Sequence, residues 1–370
     1  MKKNVFWLAA MAAAVSLTGC SVDEVVEKAE VRNIGFDAFA NKSSRATVNA
    51  KTFGHTSFGV WGRYDEGGSS YVNVFNNKEV KWSNTGNLDD ANGAWEYSPL
   101  VPWVADKDYT FAAVAPYNAA FSYDYTNGYT LGEITLDATY SEGKYTNQVD
   151  YLTATVKSSV QSTISGGKVG FTFNHIVSNI IFNFQPKIAN TGGETTAWTS
   201  PVQIIIKNIT LSNVLTNKKY TNNTWSAADS PNTSGSFVTT LSSDNITTYE
   251  PAGPTGTPTQ VLTPLENKFS WFVVPQTEEQ APNRKLTLTF DIKTKDASGA
   301  YNVVAKTGAT ASVDIDTDWD ANTQYTYTVY IGTDVLGQDA FITFDVTSVA
   351  GWGNSSPVED DINVTPSTGD

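Results

Sequence analysis

The chain of 370 residues contains a single cysteine, Cys20, and only two histidines, His55 and His175. One thiol cannot form an internal disulfide, so its cores must rest on packing and strand pairing alone. Two histidines far apart in sequence supply neither the ligand set of a zinc site nor the oriented base of a hydrolytic triad. Basic residues are also scarce, with 24 Lys+Arg against 38 Asp+Glu and a formal net charge of −14. That balance repels nucleic acid and anionic lipid head groups and excludes nucleic acid as a partner. Behind the N-terminal leader, no stretch longer than a couple of turns carries a 3.6-residue apolar stripe, and no repeat recurs at a fixed period. What remains is an all-β chain. Hydrophobic residues make up 40% and aromatics 12%, enough for sizeable cores in two domains of ordinary size.

The leader has a definite form. Lys2 and Lys3 precede an apolar run from Val5 to Leu17, too short to span a bilayer but built like a secretory signal. Leu17-Thr18-Gly19-Cys20 resembles a bacterial lipobox, in which signal peptidase II cleaves before the cysteine and the cysteine takes the lipid. Residues 1–19 are therefore expected to be a lipoprotein signal peptide and Cys20 the lipidation site. Ser21 to Glu30 is short, charged and free of aromatics, as a tether would be. Asp23 and Glu24 resemble part of a surface-export signal.

Alternation marks the strands. Ile34, Phe36 and Ala38 share one face of an early strand, followed by the polar break Ser43-Ser44-Arg45-Ala46-Thr47. Tyr71–Phe75 and Glu79–Trp82 flank Asn76-Asn77-Lys78, which reads as a tight hairpin connection because Asn tolerates positive φ. Tyr109–Ala115 is a strand ending at Pro116. Leu286, Leu288, Phe290 and Ile292 alternate with polar residues, as do Tyr325, Tyr327, Val329 and Ile331. The polar run Lys157 to Lys168 suggests a domain join near Gly167. The Thr-, Asn-, Ser-, Pro- and Gly-rich stretch from Thr216 to Pro264 reads as long loops inserted between strands.

No stretch singles out chemistry. His175 shares a strand face with Phe171 and Phe173 and reads as a core or sheet-end histidine. Asp314, Asp316, Asp318, Asp320 and Asn322 superficially resemble a calcium loop. Counting from Asp316, however, the sixth and twelfth positions hold Ala321 and Tyr327 where that loop needs Gly and a bidentate Glu. No metal and no cofactor are expected. Acidic residues are numerous, but no motif selects a pair for glycoside hydrolysis. Ten tryptophans suit sugar stacking or, more simply, sandwich cores.

Scattered blocks along nearly the whole chain resemble the fimbrillin-like proteins, the lipoprotein-derived pilins of type V pili. They include Ser44-Arg45-Ala46-Thr47, Phe58-Gly-Val-Trp61-Gly, Phe75 to Trp82, Trp95-Glu-Tyr-Ser98 ahead of Trp103, and Tyr109 to Tyr117. The second half adds Phe173 to Ile180, Val273-Val-Pro-Gln276, Trp319 to Tyr325, and Ile342 to Val346 ahead of Trp352.

The resemblance implies two tandem β-sandwich domains of transthyretin-like, Greek-key type, and a structural or adhesive role without enzymatic activity. The divisions expected are residues 20–45 as lipidated tether and first strand, 46–167 as the first sandwich, and 168–370 as the second. In the family's polymerising members an arginine-specific protease removes the lipidated N-terminus. Here the matching bond lies between Arg45 and Ala46, and Ile34, Phe36 and Ala38 would be the displaced strand. A strand from a neighbouring subunit would refill the groove, with Ile342, Phe344 and Val346, or Val358, Ile362 and Val364, as donor residues. Phe341 to Val346 reads equally well as a resident strand of the second domain, and Arg45 equally well as a solvated linker residue in an uncut anchor. The partners implied are other fimbrial subunits, the two processing proteases, the outer membrane through the lipid, and a host or bacterial surface glycan or protein. The location implied is the outer membrane surface, the fimbrium, or both. A surface lipoprotein that binds carbohydrate and does not polymerise is the alternative.

Overall fold

A computed structural model describes residues 32–40, 50–137, 140–141, 144–145, 148–158, 168–187, 198, 200–229, 234–240, 246–250, 261–262, 265–333 and 340–351. Those residues are almost entirely strand and turn, with one helical turn, so the all-β expectation is borne out.

In the first half lie β1 (Gly35–Ala40), α1 (Ala50–Phe53), β2 (Ser57–Gly67), β3 (Ser70–Trp82), β4 (Trp95–Glu96) and β5 (Tyr109–Ala115). They are followed by β6 (Ser122–Asp124), β7 (Gly128–Thr130), β8 (Gly132–Thr135), β9 (Tyr140–Ser141), β10 (Lys144–Tyr145), β11 (Leu152–Ser158) and β12 (Lys168–His175). Seven of these form one sheet in the order β1-β12-β11-β5-β2-β3-β4. Its concave side buries Phe36, Phe58, Phe75, Phe111, Phe171 and Phe173.

One detail departs from the sequence reading. Asn76-Asn77-Lys78 is not a hairpin connection, because β3 runs through it as a bulge. The pairing with β2 shifts between Val60↔Lys78 and Gly62↔Phe75, and Asn77 sits at φ 47°. The Asn77 side-chain amide explains the placement: it donates to the carbonyls of Asn118 and Phe121 at 2.9 and 3.0 Å. The true turn of this hairpin is Gly67-Gly68-Ser69-Ser70, where Gly68 and Ser69 both adopt positive φ, as a two-residue turn of right-handed strands requires. β12 pairs with β11 and β1, so residues 168–175 lie in the first sheet.

The second half comprises β13 (Ser178–Pro186), β14 (Val202–Leu215), β15 (Asn217–Thr221), β16 (Thr224–Ser226), β17 (Ser234–Thr240) and β18 (Ile246–Glu250). Beyond them come β19 (Val261–Leu262), β20 (Leu265–Val273), β21 (Lys285–Thr294), β22 (Val303–Asp314), β23 (Thr323–Thr333) and β24 (Ala340–Gly351). A four-stranded sheet, β20-β13-β23-β24, faces a sheet ordered β19-β18-β14-β21-β22, with β17 also paired to β14. Their shared core takes the alternating residues read from the sequence: Leu286, Leu288, Phe290 and Ile292 from β21, and Tyr325, Tyr327, Val329 and Ile331 from β23. The stretch expected as long loops, Thr216 to Pro264, instead holds β15 to β19. Polar residues there alternate with Tyr220, Phe237 and Tyr249, which are buried.

A third apolar cluster joins the halves. It combines Trp61, Val114, Tyr129, Leu131, Ile134 and Leu136 with Ile176, Val177, Leu215, Tyr220 and Val274. Above it, β8 pairs with β15 from Thr135↔Asn217 to Gly132↔Tyr220, so a small sheet crosses the junction. One glutamine completes the join by imitating strand backbone: the Gln148 amide donates to Phe272 O and accepts from Phe272 N–H, and within the second half the Gln276 amide does the same with Leu215.

Candidate functional site

The first sheet curls until its two edges face each other, and the chain just before Arg45 fills the gap between them. On one side β1 runs parallel to β12, from Gly35↔Lys168 to Ala40↔Phe173. On the other side residues 32–34 lie antiparallel to the segment that follows β4. Ile34 N–H donates to Val101 O at 2.8 Å, Trp103 N–H donates to Arg32 O at 2.9 Å, and Asn33 bridges Pro102. The Tyr97 hydroxyl ties the two strands together, donating to Ile34 O at 2.6 Å and accepting from Val101 N–H at 3.3 Å. Burial pushes the Tyr97 phenol up, so the proton it donates is held across the neutral range.

Side chains along this slot follow the strand alternation. Ile34, Phe36 and Ala38 point inward, at 1%, 1% and 0% exposure. Phe36 sits in an aromatic cage, its ring centroid 5.3 Å from Phe75, 5.4 Å from Tyr97, 5.8 Å from Phe171 and 6.2 Å from Phe111. On the outer face Asp37 pairs with Lys168 at 3.1 Å, an exposed contact that favours register more than stability. The sequence alternation put Ile34, Phe36 and Ala38 on one face, and the structure brings them together inside the first core. It gave no sign of Tyr97, Val101 or Lys168 as their partners, because hydrogen bonds to main chain leave no periodic trace.

Of the other residues singled out, Cys20, Arg45, Ala46, Val358, Ile362 and Val364 lie outside the described residues. Ile342, Phe344 and Val346 fall in β24, which pairs with β23 from Gly351↔Thr323 to Ala340↔Thr333. The segment thus takes the place of a resident strand of the second half.

The two histidines are not separate. His175 Nδ1 lies 2.8 Å from Asp150 Oδ1, and His55 approaches the same aspartate, through its charge and its backbone. Burial lowers the His55 pKa, Asp150 opposes that, and the nearby His175 adds to it. The strand-face reading placed His175 correctly beside Phe171 and Phe173, all three being buried. The acidic run near Asp316 is structural. Asp318 accepts from Glu278 N–H, Asp314 pairs with Lys285, and Asp320 N–H donates to the Tyr325 hydroxyl. Beside it the fully buried Arg284 donates to the carbonyls of Gln276 and Thr317 and lies 4.4 Å from the Trp319 ring centroid. Among the described residues, no group of three or more His, Cys, Asp or Glu is arranged to hold a metal ion. Six tryptophans, Trp61, Trp82, Trp95, Trp103, Trp271 and Trp319, are buried, and Trp198 and Trp225 are partly buried against cores. These eight pack against the cores.

Comparison with known proteins gives a family. A model described as fimbrillin-like matches residues 44–352. No curated protein matches the chain. Similar solved structures include a candidate cell adhesion protein from Bacteroides ovatus, 15% identical, with a TM-score of 0.49, covering 89% of this chain and 99% of its own. Another, from Bacteroides uniformis, is 14% identical with a TM-score of 0.40 and covers 86% and 98%. A fimbrial assembly protein from Parabacteroides distasonis is 10% identical with a TM-score of 0.36 and covers 85% and 99%.

Proposed function

This chain belongs to the fimbrillin-like family, and from that premise we propose that it reaches the surface as a lipoprotein and enters a type V-like fimbria by strand exchange. Membership makes it a fimbrial or adhesive subunit of the cell surface, structural and not enzymatic. In the proposed sequence of events, signal peptidase II frees Cys20 for lipidation and the lipid holds the folded chain on the outer membrane. An arginine-specific protease then cuts between Arg45 and Ala46. Removal of residues 20–45 takes β1 with it and opens the slot. A strand from another fimbrial subunit refills it, drawn either from Ile342, Phe344 and Val346 or from the tail with Val358, Ile362 and Val364. The assembled fimbria meets a host or bacterial glycan or protein. The division between the two sandwiches is proposed at Ile176-Val177, since β12 pairs within the first sheet.

The observation that supports this reading is the position of β1. It precedes the cut site, closes the first sheet between two edges, and buries Ile34 and Phe36 in the core. Each large apolar side chain withdrawn from such a site exposes about 1.5–3 kcal/mol of burial, and each stranded main-chain bond adds about 1 kcal/mol. A vacated slot is therefore under strong pressure to accept another strand, with main chain supplying affinity and alternate side chains the register. Intact mass and N-terminal sequence of the protein taken from cells test the proposal. A population starting at Ala46 is expected. Lipidated Cys20 on every molecule would exclude the cleaved subunit and leave an anchor.

A further inference from the structure

We infer that the slot reads its occupant at four points, with Tyr97 as the positioning residue, and that it selects the order aliphatic, any, phenylalanine, aspartate, small apolar. The inference rests on the strand-exchange reading, but it concerns what the slot accepts.

The first point is main chain. The occupant's residue at the Ile34 position must offer N–H to Val101 O and C=O to the Tyr97 hydroxyl, which is itself fixed by Val101 N–H. Proline cannot meet the first demand. Because one hydroxyl holds both the occupant and the far edge, Tyr97 couples closure of the sheet to the presence of a strand. The second point is the cage of Phe75, Tyr97, Phe111 and Phe171, which suits one aromatic ring two residues further on. The third is Lys168, which faces an acidic residue on the outer side. The fourth lies beyond it, where Ala38 is fully buried, so only a small side chain fits there without repacking.

Ile34-Gly35-Phe36-Asp37-Ala38 meets these demands, and its first four places recur in this chain as Ile342-Thr343-Phe344-Asp345, followed by Val346, which enters the Ala38 place with local repacking. The strand that the slot selects is accordingly one from a second copy of this chain, or from a subunit carrying that order.

Two measurements test this. Hydrogen exchange on the whole chain should show the Ile34 and Trp103 amides opening about five-fold faster in Tyr97→Phe, the loss expected for one hydroxyl bond. The Trp319 amide, bonded to Gln276 O in the second half, serves as the unchanged control. Tyr97→Phe keeps the ring of the cage, so unaltered Ile34 exchange would overturn the latch. In the second measurement the chain is nicked between Arg45 and Ala46 and challenged with peptides spanning residues 32–40, residues 340–348, and residues 340–348 with Phe344→Ala. Both natural peptides should displace the N-terminal fragment, and the Phe344→Ala peptide should do so at least ten-fold less well. Entry of 32–40 without 340–348 would overturn the selection rule while leaving strand exchange intact. If no peptide enters, strand exchange and the rule fall together, and the exchange rates alone decide the role of Tyr97.

Discussion

His55 keeps its ring against Phe53, with 5.4 Å between centroids, and its Nε2 is sealed from solvent without a hydrogen-bond partner. Burial is the largest influence on it and disfavours the charged ring, so its folded pKa lies below the ordinary 6.5. The sign follows from proton counting. Above about pH 6.5 the ring is neutral in both states and has no effect on stability. Below that value the unfolded chain binds a proton that the folded chain resists, and stability falls as the pH drops. His55→Gln removes this term. Urea unfolding at pH 7 and pH 5 should show a smaller acid loss in the variant than in the parent, and equal losses would mean that His55 does not titrate below its usual value. Neither partner of this cluster was legible as such. Asp150 and His175 meet because β11 and β12 pair at Leu152↔His175, a long-range register that no local pattern carries.

At the scale of elements, β1 matters more than its six residues suggest. A strand at the end of a sheet usually presents one open edge, whereas here residues 35–40 are bonded to β12 and residues 32–34, just before them, to residues 101–103 on the other side. Phe36→Ala should cost about 3–5 kcal/mol, because it empties a cage that four other rings define and that cannot collapse cheaply. The loss should be read as a lowered free energy of unfolding of the whole chain in urea. A loss below about 1 kcal/mol would show that β1 is held by its main chain alone. Alternation made β1, β21 and β23 readable, since one face of each is buried and the other is not, whereas β5 is a nearly continuous apolar run buried on both faces. The bulge at Asn77 was misread for a physical reason. Asn at positive φ serves a turn and a bulge equally well, and what decides between them is the distant carbonyl pair of Asn118 and Phe121. The strands within 216–264 were missed because they are short and polar, and their pairing is supplied by β14 and β8 from outside the stretch.

At the scale of the molecule, a single cysteine leaves no internal disulfide to hold the halves together. The junction between them is held by packing and hydrogen bonds. Tyr220 is buried there, 5.0 Å from the Trp225 ring, whose indole N–H donates to Ile176 O at 2.8 Å. On the same side β15 pairs with β8, while Asn322 N–H donates to Val177 O and its side chain accepts from His175 N–H. These contacts predict that the two halves unfold together, because neither can open without exposing the shared cluster. Tyr220→Ala should remove about 3 kcal/mol from that cluster. Followed by hydrogen exchange through a urea series, the parent should lose protection in both halves at one midpoint, and the variant should lose it at two. A variant that keeps a single midpoint would place the coupling in the Gln148 bridge to Phe272, and Gln148→Ala would then be the substitution that separates the halves.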